Sequence, residues 1–67
     1  MNKEYYIIYG REDAGNPFEE IGRSKEKPNL KDWIGTKIGK KSTVTEVKAC
    51  FVKVTRFTYE RTWLDLN

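Results

Sequence analysis

Val44-Thr45-Glu46-Val47-Lys48-Ala49-Cys50-Phe51-Val52-Lys53-Val54-Thr55-Arg56-Phe57-Thr58-Tyr59-Glu60-Arg61-Thr62-Trp63 is the stretch that decides the fold. No glycine or proline interrupts it, and its β-branched and aromatic residues suit a pleated, half-buried surface. The apolar phase is not constant along it. Val47, Ala49 and Phe51 share one parity, Val52 and Val54 take the other, and Phe57, Tyr59 and Trp63 return to the first. Because side chains alternate strictly across a strand, two changes of phase exclude one straight strand. Such a run also far exceeds the usual strand of about 5 to 6 residues. Two strands with a tight turn near Thr55 and Arg56 are expected, with one long bulged strand as the alternative. The lack of glycine is the weaker point for a turn.

Working back from Val44, the segment after Lys25-Glu26-Lys27-Pro28 carries a helix signal. Asn29 stands at an N-cap position, Asp32 follows near the positive end of the dipole, and Leu30, Trp33, Ile34 and Ile38 fall on one stripe. A short helix of roughly three turns is expected, with Lys31 and Lys37 outward and Gly39-Lys40-Lys41 as its stop. Further upstream, Lys3 to Arg11 alternates Tyr5, Ile7 and Tyr9 with Tyr6 and Ile8, which predicts a strand apolar on both faces. Glu12 to Pro17 concentrates turn formers. Phe18 to Ser24 is then expected to return as a short second strand, with Phe18 and Ile21 inward. The resulting expectation is an α+β fold in one small domain, residues 1–67. Its antiparallel sheet has three to four strands in the order β-β-α-β-β, and one short helix packs on one face. One short helix cannot cover all the aromatic surface, so either the sheet curls strongly or its second face meets a partner.

A chain of 67 residues leaves room for one core only. Its single cysteine, Cys50, rules out an intrachain disulfide and fits a reducing interior. The run Tyr5 to Tyr9 is too short for a signal peptide, and no stretch approaches the ~20 apolar residues that span a bilayer. A cytoplasmic protein with no membrane role is therefore expected. The formal net charge is +3, but it is unevenly spread. Two bases stand against five acids through Gly22, and seven bases against two acids from Arg23 to Lys41. Such asymmetry steers charged partners when it is not simply a solvated surface.

Several chemistries are excluded or disfavoured. With no histidine and one cysteine, the chain cannot supply the four ligands of a structural zinc site. Cys50 has no imidazole to activate it and is expected to be buried filler. The carboxylate pairs Glu12-Asp13 and Glu19-Glu20 point apart as adjacent residues do, and the acids lack calcium-loop spacing. Gly39-Lys40-Lys41-Ser42-Thr43 resembles a phosphate loop only in passing. No catalytic residue, no metal and no cofactor is expected.

Binding remains. The leading expectation is a protein-interaction module of the inhibitor or adaptor type, docking on a protein or on itself through an exposed aromatic sheet face or edge. Its candidate contacts are Tyr6, Arg56, Phe57, Tyr59, Arg61 and Trp63. The alternative is nucleic-acid binding through a basic helix and loop surface, Lys31, Lys37, Lys40 and Lys41, supported by strand aromatics. Lys48 to Val54 invites comparison with an RNP1 motif. However, Val47 falls where a base is needed and Lys48 where glycine is needed. A hairpin followed by a helix carrying Trp33 resembles in outline the arm-binding domains of phage-type integrases over residues 4 to 39, which would imply DNA binding. In size and strand-helix-strand pattern the chain also resembles small phage-encoded inhibitors of host machinery.

Overall fold

Alternating apolar residues on both sides of Lys3–Arg11 make this segment a strand, β1, that is buried at Ile7 and Ile8 alike. The structure is a computed structural model and describes residues 2–38 and 42–64. The other strands are β2 (Glu19–Ser24), β3 (Lys37–Ile38), β4 (Ser42–Thr43), β5 (Glu46–Val54) and β6 (Tyr59–Trp63). Four of them form an antiparallel sheet in the order β2-β1-β5-β6, and β3 pairs with β4 in a two-stranded sheet.

The expected α+β layout is therefore wrong. Among the described residues there is no α-helix, only one 3-10 turn, Leu30–Trp33. The start signal is real, since the Asn29 side chain accepts a hydrogen bond from the Lys31 backbone N–H at 3.3 Å. Propagation fails at once. Ile34 is extended, and Gly35 takes φ +93°, a left-handed value that no helix passes through. The backbone bonds that would continue the helix run across the chain instead. Gly35 N–H donates to the Val44 carbonyl and Val44 N–H to the Thr36 carbonyl, both at 2.8 Å. A helical nucleus is costly, and β-branched Ile34, Thr36 and Ile38 add little to overcome that cost. The expected stop at Gly39, Lys40 and Lys41 lies outside the described residues. Without a helix, the outline likeness to an integrase arm-binding domain has nothing to rest on.

The run from Val44 to Trp63 splits into two strands. Residues 55–58 reverse the chain between them, with Thr55 N–H donating to the Thr58 carbonyl at 2.9 Å. Glycine proves unnecessary here because threonine takes its place. The Thr55 hydroxyl accepts from the N–H groups of Phe57 and Thr58 at 3.3 and 3.0 Å and bonds the Thr58 hydroxyl at 2.6 Å.

One face of the sheet is closed by the chain's own irregular segment. Ile8, Val44, Val47 and Ala49 are buried there, with Ile21, Leu30, Trp33, Ile38 and Leu64 packed against them. Ile34, expected on the same stripe as Leu30 and Trp33, is 51% exposed instead. Two glycines make seats for this cover. A Cβ on Gly22 would lie 2.5 Å from the Trp33 ring, and one on Gly10 would lie 2.9 Å from Ile21 and 3.0 Å from Val44. A bulge in β2 assists. Ile8 opposes Gly22 while Tyr9 opposes Glu20, so Ile21 is the extra residue and turns onto the core.

Candidate functional site

The opposite face of the sheet has no covering segment among the described residues. Strand register places Tyr5, Ile7, Tyr9 and Arg11 of β1 beside Val52, Cys50, Lys48 and Glu46 of β5. The same register sets Trp63, Arg61 and Tyr59 of β6 beyond Cys50, Val52 and Val54. Ile7, Cys50 and Val52 form a thin buried bed, flanked by Tyr5, Tyr9 and Val54. Over that bed lies a layer in which cations alternate with aromatic rings.

Lys48 links two of its rings. Its Nζ stands 4.2 Å from the centre of the Phe18 ring and 4.3 Å from that of Trp63, so one ammonium is flanked by two rings. The Arg11 guanidinium lies 4.2 Å from the same Phe18 ring and pairs with Glu46. Trp63 packs on Tyr9 with ring centres 5.5 Å apart, tilted by 58°. Arg61 then closes the layer, donating to the Tyr9 hydroxyl at 2.8 Å and approaching Cys50 Sγ at 3.8 Å. Arg23 extends the pattern to the far edge, 5.6 Å from the Tyr5 ring and bonded to Glu20 at 2.9 Å. Phe18 was expected to face inward, but it ends as the ring between Arg11 and Lys48.

The charges on this face are unequal in their freedom. Glu20 and Glu46 are tied to Arg23 and Arg11, whereas Lys48 and Arg61 have no carboxylate partner among the described residues. Hydrogen bonding to Arg23 holds the Glu20 carboxyl below its usual range, and the same contact raises the already high pKa of Arg23. Its contact with Cys50 and the neighbouring Tyr9 likewise favour the charged form of Arg61. Partial desolvation, then the adjacent Tyr5 hydroxyl, push the Tyr59 phenol above its ordinary value.

The structure gathers some of the residues marked from sequence and scatters the rest. Tyr59, Arg61 and Trp63 share the open face with Tyr5, Tyr9 and Lys48. Tyr6 belongs to the other face, with its ring centre 5.2 Å from that of Phe51. Arg56 and Phe57 stand at the tip of the β5–β6 turn, where Phe57 is 87% exposed. Lys31 lies in the 3-10 turn and Lys37 on β3, hydrogen-bonded to the Thr43 hydroxyl at 3.2 Å. They form no common surface with the aromatic layer, and Lys40 and Lys41 lie outside the described residues.

Tyr5, Tyr9, Arg11, Phe18, Arg23 and Lys48 were missed from sequence. The signal that finds them is register: the phase opposite to Val47-Ala49-Phe51 on β5 must face the odd residues of β1. Cys50 is a free, buried thiol. Among the described residues no group of three His, Cys, Asp or Glu side chains is placed to hold a metal ion, and no helix is long and apolar enough to cross a membrane. No protein-family model, curated protein or solved structure matches the chain.

Proposed function

We propose that the protein is a non-enzymatic interaction module that docks on a macromolecular partner through the open face of its four-stranded sheet. The alternation of ring and cation across β1, β5 and β6 supports this reading. Tyr, Trp and Arg anchor contacts of this kind because each combines a large apolar area with a polar end. Trp63 and Tyr59, 52% and 58% exposed, supply the accessible rings. Pairing of two copies through this face is disfavoured, since Lys48 and Arg61 of each would confront like charges. The free edges, β2 and β6, are the surfaces left for self-association.

The test is retention of a partner from the source cell by the immobilised protein, set against point variants. Wild type and Lys37→Glu are expected to retain the same macromolecule, and Trp63→Ala and Lys48→Glu to lose it. Equal retention by all four proteins would remove the open face from the function.

A further inference from the structure

Granting the docking role proposed above, we infer that the occupant of this face is single-stranded nucleic acid, its bases stacked on Trp63 and Tyr59 and its phosphates held by Lys48 and Arg61. Charge distribution favours this over a protein. The open face carries cations without a carboxylate partner: the ammonium of Lys48 stands between Phe18 and Trp63, toward the Arg11–Glu46 end of the β1–β5 ladder, and Arg61 follows on β6. An apolar partner would strand that charge without water or a counter-ion. A phosphate would neutralise it in place.

The second argument is the order of groups along β6. Tyr59, Arg61 and Trp63 share one side of an edge strand, so ring, guanidinium and ring follow one another. Same-side residues repeat about every 6.6 Å, which sets the two rings roughly 13 Å apart with the guanidinium midway. Bases two nucleotides apart on one extended strand, with a phosphate between them, match that sequence of groups. The carboxylates nearby do not oppose it, because Glu20 and Glu46 are already paired to Arg23 and Arg11. At the rim, Lys3 and Lys25 line a groove beside Tyr5 and Tyr59, together with the paired Arg23 and one acid, Glu4.

Stacking on exposed rings needs base faces that a duplex keeps buried between its own pairs, so the strand must be single. Any base has such a face, so binding is expected to be tolerant of sequence. With about three phosphates neutralised, by Lys48, Arg61 and Lys3, log K should fall with log salt at a slope of about −2.

The experiment is fluorescence anisotropy with labelled oligothymidylate of about 12 nucleotides, within the site size of one small sheet domain. A duplex of equal length is measured beside it, and folding of every variant is checked by circular dichroism. Single strand is expected to bind in preference to duplex. Trp63→Ala should weaken binding by roughly 5- to 150-fold, the range measured for loss of one stacking ring. Trp63→Phe should restore most of it, Lys48→Glu should lower both affinity and salt slope, and Lys37→Glu should change neither. No binding at low salt, while Trp63→Ala and Lys48→Glu still lose a protein partner, would overturn the nucleic-acid occupant and leave the docking face intact. Binding that survives both face variants but is lost with Lys37→Glu would overturn it as well, by moving the site to the other side of the sheet. Failure of both the oligonucleotide and the partner-retention measurements would remove the docking face itself.

Discussion

Trp33 and Trp63 lie over opposite faces of one sheet and are held in opposite ways. Trp33 belongs to an irregular segment and drops its ring onto Gly22, where no side chain competes for the space. Trp63 stands on an edge strand, leans on Tyr9 and Lys48, and leaves half its surface in solvent. The first face is closed by shape and apolar contact, which the chain supplies from its own length. The second is only roofed, by rings and charges whose outer sides remain available. The difference teaches that a single sheet can close one face for stability and leave the other open, provided the bed beneath the second is sealed. Ile7, Cys50 and Val52 do that sealing, each almost fully buried.

The contrast can be broken most directly at Trp33. Trp33→Ala should cost about 3 kcal/mol in denaturant unfolding, the low end for a large aromatic because the ring is only partly buried. That is comparable with the whole stability of a chain this size, roughly 3 to 10 kcal/mol. Gly22→Ala comes next, at about 1 to 3 kcal/mol, because its Cβ would meet the Trp33 ring at 2.5 Å and force the cover to shift. Gly35→Ala should lower stability by about 1 to 2 kcal/mol through its left-handed backbone alone, since its Cβ would meet nothing within 4 Å. Trp63→Ala should fall below these, at about 1 kcal/mol or less, the worth of an aromatic pair at an exposed site. If it matched Trp33→Ala, the open face would be a second core and would lose its claim to a partner.

The smallest effect expected is electrostatic. The Glu20 carboxyl is held below its unfolded value of 4.5, so its contribution is present above that value and lost as pH falls through the lower folded one. In Glu20→Gln this part of the acid dependence should vanish, which a pH series of thermal melts would detect. An unchanged series would show that the pair with Arg23 is solvated and idle.

What sequence conveys about this molecule follows from how local each cause is. β1 was legible over its full extent because alternation is a property of neighbouring residues. The break of the long run into β5 and β6 followed from parity, although the means of turning, a threonine hydroxyl in place of glycine, did not. The helix was misread for a related reason. A spacing of three between Leu30 and Trp33 suits a single 3-10 turn as well as an α-helix, and the competing bonds came from Val44, distant in sequence. Leu30, Trp33 and Ile38 did reach the core, so burial was better foretold than geometry. Half of the site was visible at Tyr59, Arg61 and Trp63. Tyr9, Phe18 and Lys48 became partners only through the pairing of β1 with β5, whose residues are some forty positions apart, and composition carries no record of register.

The seat at Gly22 has a bearing on how the chain avoids errors while folding. A slip of one residue of β2 against β1 would turn Gly22 away from the cover and set a bulkier side chain where the Trp33 ring must enter. The Trp33 ring thus discriminates between registers of the hairpin, because only the native one leaves room for it on the sheet.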